Sequence, residues 1–397
     1  MSFRTLDDAD LKGKRVLLRL DLNVPVEDGR VTDATRIERV LPTIREITEK
    51  GGRIVLLAHF GRPKGRRDPK ESLKPIAAAL TEHLKRPVAF ADDCVGNAAA
   101  QAVAALKDGD VLLLENTRFH AGEEKNDPTF VKELARLGDI YVNDAFSAAH
   151  RAHASTEGLA HILPAYAGRA MQIEIEALAR VLEAPARPLL AVVGGAKVST
   201  KIDLLENLVA KVDAFVIGGA MANTFLQAID IAVGRSMVES DQRVTVQRIM
   251  DKARETSCAI ILPVDAVVAT EFRANAPHHT YGIDAIPEDG MILDLGSQSI
   301  ERIDAAINDA RTLVWNGPLG AFEHVPFDQG TVAAARHAAA RTQEGKLVSV
   351  AGGGDTVAAL NHAAVADRFT YVSTAGGAFL EWLEGKPLPG VEALRKK

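Results

Sequence analysis

Short apolar runs recur along the chain, separated by longer stretches in which apolar residues follow helical spacing. In the first half the runs are RVLLRLD (15–21), RIVLLAH (53–59), PVAFA (87–91), DVLLLEN (110–116) and DIYVNDA (139–145). In the second half they are LLAVVGG (189–195), AFVIGG (214–219), AIILPVD (259–265), TLVWNG (312–317), KLVSVAGGG (346–354) and FTYVSTAGG (369–377). Runs rich in Val, Ile and Leu and bounded by turn residues indicate buried parallel strands joined by crossover helices. The pattern therefore predicts an α/β protein with two doubly wound, Rossmann-like parallel-sheet domains.

The stretch RAMQIEIEALARVLEAPARP (169–188) lies between the two sets of runs. It has a helical pattern that stops at Pro185 and Pro188, which is typical of an interdomain connector, although an ordinary surface helix would look the same. A chain of 397 residues also exceeds what one hydrophobic core usually organises. We expect an N-terminal domain over 1–168, a helix and hinge over 169–188, and a C-terminal domain over 189–384.

Composition narrows the class of protein. The chain is 47% hydrophobic and 25% charged, it contains no apolar run near the ~20 residues of a membrane span, and its start lacks the features of a signal peptide. Its two cysteines, Cys94 and Cys258, stand in no CxxC motif, so neither a disulfide framework nor a zinc site is expected. Residues 1–168 carry equal numbers of basic and acidic side chains, so the net charge of -6 belongs to the second half. We expect a cytoplasmic protein with neither a membrane nor a nucleic acid as partner.

Cationic and polar residues follow the predicted strands of the first half. In open α/β sheets, ligands collect at the carboxyl ends of the strands, and arginine matches the oxygens of phosphate and carboxylate groups. These residues therefore indicate a site for a small polyanion, although each arginine could instead pair with a neighbouring carboxylate. The candidates are Asp21, Asn23, Arg36, His59, Arg62, Arg118 and Arg151.

The segment HFGRPKGRRD (59–68) contains two kinds of basic residue. His59 and Arg62 directly follow a predicted strand, which favours a place in the anion site. Lys64, Arg66 and Arg67 lie further along the loop. We interpret them as a solvated fringe that attracts polyanions, an effect that salt reduces.

Glycine-rich turns follow the strands of the second half, with the sequences GGAKVSTKI, GGAMANTF, NGPLGAFE, AGGGDT and STAGGA. Glycine lets backbone N–H groups approach a phosphate closely at a helix N-terminus. One glycine pair is weak support, because tight turns favour glycine anyway, but five such turns indicate a phosphorylated ligand. No GxxxxGK[ST] and no strand-GxGxxG-helix unit is found, so a nucleotide site here would be neither a Walker loop nor a dinucleotide fingerprint.

Together, these segments resemble phosphoglycerate kinases. The resemblance runs from near residue 19 to near residue 390 in the family's order, and so covers essentially the whole chain. It rests on RLDLNVPVEDGRVTDATRIERVLPTI, HFGRPKG, LLENTRFHAGEEKND, YVNDAFSAAHRAHAS, VVGGAKVSTKI, WNGPLGAFE, AGGGDT and STAGGAFLEWLEGKPLPG.

The resemblance implies that the N-terminal half binds 3-phosphoglycerate or 1,3-bisphosphoglycerate and that the C-terminal half binds ADP or ATP with Mg²⁺. Substrate-binding positions would be Asp21, Asn23, Arg36, His59, Phe60, Gly61, Arg62, Arg118 and Arg151. Nucleotide-binding positions would be Lys201, Asn316, Glu323, Gly353, Gly354, Asp355 and Thr356, with Asp355 as the magnesium ligand. Residues 385–397 are expected to pack back on the N-terminal domain, and the protein is expected to be a monomer acting on small molecules in glycolysis or gluconeogenesis.

The implied reaction transfers a phosphoryl group between the carboxylate of 3-phosphoglycerate and ADP. Both nucleophiles are already anions near neutral pH, so no general base is needed, and positioning and positive potential must supply the catalysis. We expect Arg36, Lys197, Gly376 and Gly377 to provide them, with in-line transfer once the two domains close on each other.

Three positions depart from the family's pattern: Phe60, Thr200 and Ala375. The first two remove no charged contact, whereas a Cβ at Ala375 could restrict the backbone of a turn at a helix N-terminus. Two other classes of function remain as alternatives. A binding protein that had lost turnover would be expected to lack Lys197, Arg36 or Asp355, and all three are present; a Rossmann dehydrogenase is disfavoured by the missing fingerprint.

Overall fold

The computed structural model describes residues 3–396. They form two compact units. Unit 1 contains the described residues up to Glu176 together with those from Pro387 onward, and unit 2 is Ala177–Lys386. The domain limits expected from the sequence, 1–168 and 189–384, differ from these divisions by several residues and stay predictions.

Unit 1 is built on a six-stranded sheet. The strands of unit 1 are β1 Arg15–Leu20, β2 Val26–Glu27, β3 Arg30–Val31, β4 Arg53–Leu57, β5 Val88–Ala91, β6 Val111–Leu114, β7 Ile140–Asp144 and β8 Ala165–Ala167. Of these, β2 and β3 form a separate two-stranded hairpin, and the other six form the sheet. The sheet order is β5-β6-β4-β1-β7-β8, and every neighbouring pair is parallel. The helices of this part of the chain are α1 Thr35–Glu49, α2 Lys74–Leu84, α3 Gly96–Ala104, α4 Ala121–Glu124 and α5 Pro128–Ala135.

The core of unit 1 lies against this sheet. Leu18 on β1, Val142 on β7 and Ile44 on α1 are fully buried members of one hydrophobic cluster. Helix α1 ends at Glu49, and Gly51 beyond it takes a φ of +79°, which does not continue a helix. Its N-terminal turn carries Arg36.

Helix α6 spans Arg169–Leu182, so it begins in unit 1 and ends in unit 2. Its first residue is fixed within unit 1, where Arg169 donates hydrogen bonds to Asp7 and Glu46. The sequence pattern of the connector continued to residue 188, and the helix stops six residues earlier.

Unit 2 repeats the parallel scheme and adds a small antiparallel sheet. Its strands are β9 Leu189–Val193, β10 Ala214–Ile217, β11 Ala259–Ile261, β12 Asp265–Ala269, β13 His278–Gly282, β14 Met291–Leu295, β15 Thr312–Asn316, β16 Val348–Gly352 and β17 Tyr371–Ser373. Its helices are α7 Ile202–Val209, α8 Gly219–Ala228, α9 Arg243–Glu255, α10 Ser297–Asp309, α11 Gln329–Gln343, α12 Gly354–His362 and α13 Gly377–Leu383. The main sheet has the order β11-β10-β9-β15-β16-β17 with parallel neighbours, and the antiparallel sheet has the order β13-β12-β14.

The two parallel sheets confirm the predicted fold class. The run at 259–265, by contrast, is not one strand. Pro263 separates β11 from β12, and β12 belongs to the antiparallel sheet, which the pattern of apolar runs did not predict.

The end of the chain belongs to unit 1. Helix α14, Pro389–Glu392, follows Pro387, and the Gly390 N–H donates to the carbonyl of Ala149 at 2.9 Å. Leu388, Val391 and Leu394 are almost completely buried. Across the described residues, none of the helices combines the length and the apolar character needed to cross a bilayer.

Candidate functional site

The parallel register of unit 1 gathers the predicted anion-binding residues at one sheet edge. Leu20 of β1 pairs with Asp144 of β7, and Arg19 pairs with Leu57 of β4. The segments that follow these strands therefore leave the sheet side by side. We name the arginine and histidine side chains on the segments after β4, β6 and β7 and at the start of α1 the basic rim; they are Arg36, His59, Arg62, Arg118 and Arg151.

Arg36 lies beside a carboxylate. Its Nη1 donates to Asp21 Oδ2 at 2.5 Å, and the Ser147 hydroxyl donates to the same oxygen. The other oxygen, Asp21 Oδ1, accepts the backbone N–H of Asn23 at 3.1 Å. Arg36 remains 38% exposed, so the ion pair orients its guanidinium and leaves part of it accessible to a ligand. Ser147 was not identified from the sequence.

The loop after β4 is held by side chains from two other segments, one after β1 and one after β6. The amide of Asn116 accepts the N–H of Phe60 at 3.2 Å and donates to its carbonyl at 2.7 Å. Asn23 Oδ1 accepts the N–H of Gly61 at 3.0 Å, and Arg118 Nη1 donates to the Gly61 carbonyl at 2.8 Å. Gly61 itself has a φ of +59°, which favours glycine. Asn23, Phe60 and Gly61 thus shape the loop that presents His59.

Arg118 is the most deeply placed arginine of the basic rim. It is 5% exposed, and its Nε has no hydrogen-bond acceptor among the described residues, although Glu124 Oε1 lies 3.4 Å away. Burial lowers the pKa of this guanidinium, and the charges of Arg151 and Arg19 lower it further. A buried cationic donor without an acceptor is costly unless an anion is bound.

Arg19 was missed by the sequence analysis because it lies inside an apolar strand. Its side chain is 1% exposed, and its Nη2 lies 2.9 Å from His59 Nδ1. On the other side, its Nε donates to Ser155 Oγ at 2.8 Å, and Ser155 Oγ donates to buried Glu123 at 2.5 Å. A charge within the run RVLLRLD was the signal that could have identified it, since buried charges need partners.

Burial, followed by the neighbouring positive charges, lowers the pKa values of the histidines at this edge. Burial lowers the pKa of His59 well below its ordinary value, and Arg19, Arg118 and Arg151 add to the effect. The pKa of His153 falls to about 4 for the same reasons, burial first and then the neighbouring arginines. Such concentrated positive potential around partly desolvated donors is the physical requirement for binding a polyanion.

The other basic residues of the loop after β4 lie nearer the surface than His59. Arg62, Lys64 and Arg66 are exposed. Arg67 donates to the carbonyl of Asp92 at 2.8 Å and lies over the ring of Phe119, 6.0 Å from its centroid. Arg67 therefore has partners within the protein, and the solvated fringe predicted from the sequence applies to Lys64 and Arg66.

Unit 2 contains a cavity of about 540 Å³ at the ends of its strands, within the roughly 300–1,000 Å³ usual for small-molecule sites. Its walls are mostly apolar, and its lining includes Met237, Phe272, Leu319, Glu323 and Asp355. Phe272 is 59% exposed and Met237 57%. Large apolar side chains left open to water beside two carboxylates suit a flat, partly polar ligand such as a nucleoside.

Lys201 lies near this cavity of unit 2. Its Nζ donates to the Gly194 carbonyl at 2.7 Å, to the Asn316 carbonyl at 3.3 Å and to Asn316 Oδ1 at 2.6 Å. Burial lowers the Lys201 pKa to about 8, and the nearby charge of Asp355 partly opposes that effect. The amide of Asn316 also donates to the Gly352 carbonyl at 2.7 Å, so the predicted lysine and asparagine form one network.

Glycines allow the loops of this edge to approach closely. A Cβ on Gly194 would lie 1.8 Å from the Pro318 carbonyl oxygen. Gly353, at the N-terminus of α12, has a φ of +100°, and a Cβ there would lie 2.6 Å from Asn316 Nδ2. Thr356 is buried and accepts the N–H of Gly317 at 2.7 Å, so it supports the loop from within.

The other predicted residues of unit 2 face water. Lys197, Gly354, Asp355, Glu323 and Gly377 are all exposed. Gly376 has a φ of +52° at the start of α13. Ala375 is not among the described residues with positive φ, so its Cβ is compatible with the turn; its N–H donates to Ser373 Oγ at 3.2 Å.

Cys94 lies closer to possible metal ligands than its sequence context suggested. Side-chain ligand atoms of Asp93, Cys94 and His120 all lie within 4.8 Å of one another. Asp93 Oδ1 already accepts the backbone N–H of Cys94 at 2.7 Å and lies 2.7 Å from His120 Nε2. Both cysteines are buried and carry free thiols.

Comparison with known proteins identifies the family. The phosphoglycerate kinase family model matches residues 6–386. The chain is 72% identical over 395 residues to a phosphoglycerate kinase from Bradyrhizobium diazoefficiens, covering 100% of this chain and 99% of the relative. It is 74% identical over 394 residues to one from Methylorubrum extorquens, covering 99% and 98%.

Solved structures give the same result. A phosphoglycerate kinase from Coxiella burnetii superposes with a TM-score of 0.93 at 43% identity, covering 99% of this chain and 98% of the other. One from Pyrococcus horikoshii has a TM-score of 0.80 at 32% identity, with 98% of each chain covered. The chain belongs to the phosphoglycerate kinase family, whose members transfer a phosphoryl group reversibly between 1,3-bisphosphoglycerate and ADP in glycolysis.

Proposed function

We propose that unit 1 binds 3-phosphoglycerate or 1,3-bisphosphoglycerate at the basic rim and that unit 2 binds ADP or ATP at the cavity near Lys201. The observation that carries this proposal is the crowding of cations at one sheet edge of unit 1. Burial and neighbouring arginines lower the pKa of His59, of His153 and of Arg118 together. An anionic ligand relieves this mutual repulsion, so a doubly charged phosphoester is the class of substrate that the edge favours.

In unit 1, Arg62, Arg118 and Arg151 would donate to the phosphate or carboxylate oxygens of the substrate. We propose that Asp21 and Asn23 also shape the basic rim. Because Asp21 orients Arg36 and Asn23 holds the N–H of Gly61, their contacts support a role in shaping the rim as well as in touching the substrate.

In unit 2, the exposed carboxylate of Glu323 suits the ribose hydroxyls and the apolar wall suits the base. Lys201, Asn316 and the glycine-rich start of α12 would hold the phosphate chain. Lys201 is already hydrogen-bonded to protein oxygens, so phosphate binding would replace at least one of these bonds.

The residues around Asp355 fit a magnesium ion. Its carboxylate is exposed at the N-terminus of α12 and lines the cavity, which is the environment of a hard oxygen ligand that shares the ion with phosphate oxygens and waters. When bound, Mg²⁺ would neutralise part of the charge on the nucleotide phosphates.

We propose that Lys197 and Arg36 stabilise the charge on the transferring phosphoryl group, with the N–H groups at Gly376 and Gly377 completing its surroundings. Lys197 is exposed and Arg36 is partly exposed, so both can reach a ligand. The attacking carboxylate or phosphate oxygen is already an anion, so no side chain has to remove a proton. The two halves of the site would be brought together by closure of the two units, which also excludes water.

We further propose that the protein works as a monomer in the cytoplasm. Support comes from the composition and from the family's small-molecule substrates. Light scattering coupled to gel filtration tests the first point, and a mass twice that of one chain would contradict it.

The proposed reaction is tested by incubating the purified protein with 3-phosphoglycerate, ATP and Mg²⁺ and coupling ADP formation to a spectroscopic readout. Sustained ADP formation that requires 3-phosphoglycerate supports the proposal. A folded protein that binds both ligands without turnover would instead be a binding protein that had lost its activity. Reduction of NAD added in a parallel assay without ATP, together with no ADP formation in the first assay, would indicate a dehydrogenase.

Arg36→Ala tests the assignment of the basic rim. Loss of one donor to transition-state charge typically lowers kcat by a factor on the order of 10² to 10³. Stability should change little, because a partly exposed ion pair contributes about 1 kcal/mol or less. The control is Arg66→Ala, which removes an exposed arginine of the loop fringe in the same unit. Equal kcat values for the two variants would remove Arg36 from the mechanism.

A further inference from the structure

A continuous chain of hydrogen bonds runs from the interior of unit 1 to His59. Glu123, which is fully buried, accepts from the N–H of Ser155 at 3.1 Å and from its hydroxyl at 2.5 Å. Ser155 Oγ in turn accepts from Arg19 Nε at 2.8 Å, and Arg19 Nη2 lies 2.9 Å from His59 Nδ1. Arg19 Nη1 also donates to the carbonyl of Leu20. Each member is thereby held in place by the next.

The chemistry of arginine fixes which group donates in the hydrogen bond between Arg19 and His59. A guanidinium group has five N–H donors, has no acceptor and does not lose its proton in proteins. The 2.9 Å contact is therefore a hydrogen bond only if His59 Nδ1 is the acceptor. A neutral imidazole that accepts at Nδ1 carries its proton at Nε2.

We propose that Arg19 is a positioning residue: anchored through Ser155 to Glu123, it holds His59 as the neutral tautomer with its proton on Nε2, so that His59 gives the substrate an uncharged hydrogen-bond donor. The statement rests on the proposed role of His59 in binding the phosphoglycerate. The positive charge of the basic rim then comes from its arginines, and the contact made by His59 keeps the same strength throughout the physiological pH range.

The charged and titratable groups around His59 act in the same direction. Arg19 faces the ring from β1, Arg118 from the turn after β6, and Arg151 and His153 from the segment after β7. Protonating Nδ1 would direct an N–H at a guanidinium group and add a positive charge among these neighbours. Burial also disfavours the charged imidazolium. Burial and the neighbouring cations together lower the pKa of His59 well below its ordinary value.

The first test is an NMR measurement on the full, ligand-free chain with ¹⁵N-labelled histidine. Long-range ¹H–¹⁵N spectra distinguish the protonated ring nitrogen from the unprotonated one, and comparison with His59→Gln assigns the signals. We expect an unprotonated Nδ1 and a protonated Nε2 that do not change between about pH 5 and pH 8, the interval in which an ordinary histidine titrates. A proton on Nδ1, or titration of His59 within that interval, would overturn the proposal.

The second test removes the donor. Arg19→Met should release Nδ1, so that the tautomer with its proton on Nδ1 becomes populated. The pKa of His59 should rise and the pH profile of KM for 3-phosphoglycerate should shift with it, although burial, Arg118 and Arg151 still hold the pKa below its ordinary value. The matched control is Arg15→Met on the same strand, which removes a half-exposed arginine paired with Asp139. An unchanged tautomer and an unchanged pH profile in folded Arg19→Met would contradict the role of Arg19. If that variant does not fold, the spectrum of the parent chain decides on its own.

The third test separates this proposal from the proposed function. His59→Gln keeps an uncharged donor near the position of Nε2, and His59→Ala removes it. We expect KM for 3-phosphoglycerate to rise by about tenfold in His59→Ala and by clearly less in His59→Gln, because one hydrogen bond to an anion is lost only in the former. If neither variant changes KM while the spectrum shows the Nε2 proton, the substrate role of His59 is wrong although Arg19 fixes its tautomer.

Discussion

Lys201 has three hydrogen bonds to protein oxygens in a largely buried site. If it holds the nucleotide phosphates as proposed, its protonation is coupled to binding. Burial lowers its pKa to about 8, so near pH 8 about half of the molecules carry a neutral amine. Bound phosphate favours the ammonium form and raises the pKa again. Binding therefore takes up protons from solution when the pH is near or above 8.

We predict that the affinity for ADP is constant well below pH 8 and falls as the pH rises through about 8. Calorimetric titrations in two buffers of different ionisation enthalpy measure both the affinity and the proton uptake. Lys201→Arg is the control, since arginine remains charged throughout and should show no such fall. Parallel pH profiles for the parent and Lys201→Arg would contradict the prediction.

Asp294 is a second titratable residue with an unusual environment. Its carboxyl is 2% exposed, its Oδ1 has no hydrogen-bond partner among the described residues, and its Oδ2 accepts the N–H of Gly330 at 2.9 Å. Burial raises its pKa to about 7, and Asp328 adds to the rise. The folded state thus retains a proton that the unfolded state has lost at the same pH.

Since the folded pKa of Asp294 is raised, its contribution to stability is present below about pH 4 and is lost as the pH rises to about 7. We predict that Asp294→Asn gains stability relative to the parent between pH 5 and pH 8, by an amount on the order of a few kcal/mol. Urea unfolding at the two pH values measures this change, with exposed Asp289→Asn as the control. A difference in unfolding free energy that does not vary with pH would show that Asp294 keeps its ordinary pKa.

At the scale of elements, the turns after β9 and β15 approach each other more closely than side chains allow. A Cβ on Gly194 would meet the Pro318 carbonyl oxygen, which is backbone and cannot rotate away, and a Cβ on Gly219 would lie 2.7 Å from the Gly195 carbonyl oxygen. Gly354, by contrast, has no atom near its Cβ position. The close approach therefore involves the turns next to Lys201 and does not extend to Gly354.

We predict that Gly194→Ala destabilises the protein by at least about 2 kcal/mol and weakens nucleotide binding, because the two turns must separate. Gly354→Ala should leave stability within about 1 kcal/mol of the parent. Chemical denaturation of both variants, followed by ADP titration of the folded proteins, measures the effects. Equal stabilities would mean that the turns can move apart freely.

Most of the parallel strands could be predicted, because the central ones, such as β1, β4 and β9, are buried along nearly their whole length and are therefore continuous apolar runs. The antiparallel sheet could not. Its strand β13, HHTYG, is almost entirely exposed and has neither an apolar run nor an alternating pattern. The short β8 was missed for a related reason, since three residues carry too little pattern to be recognised.

The candidate site, too, could be predicted from the sequence only in part. Individual cations at strand ends could be found because parallel strands send their ends to one edge, and the motifs that resembled phosphoglycerate kinases are confirmed by the family match. The contacts between those residues could not be predicted. Arg19 and Ser155 are separated by 136 positions, and Ser147 lies 126 positions from Asp21. Only the folded sheet brings such pairs together.

At the scale of the whole molecule, unit 1 is closed by the end of the chain. Leu394 is 1% exposed, and Phe3 and Arg395 form an isolated antiparallel bridge, so the two ends of the described chain meet. Removing a buried leucine side chain usually lowers stability by about 2–5 kcal/mol.

We predict a loss in that range for Leu394→Ala, measured by urea unfolding. The comparison variant is Ile162→Ala, which truncates a 47% exposed side chain in the same unit and should cost much less. Similar losses for the two variants would show that the chain end contributes little to unit 1.

The proposed closure of the two units belongs to this scale as well. We predict that the radius of gyration from solution X-ray scattering decreases when 3-phosphoglycerate and ADP with Mg²⁺ are added together, a pair that cannot react. Each ligand alone serves as the control and should produce a smaller change. Unchanged dimensions at saturation with both ligands would count against closure as the step that unites the reacting groups.

The return of the chain to unit 1 after Lys386 has a consequence for how the protein is made. Unit 2 is an insertion within unit 1, so the ribosome releases the whole of Ala177–Lys386 before Leu388, Val391 and Leu394 emerge. The surface that these three side chains cover therefore stays open to water during most of synthesis. Unit 2 can complete its core while translation continues, whereas unit 1 is finished only when Leu388, Val391 and Leu394 have left the ribosome.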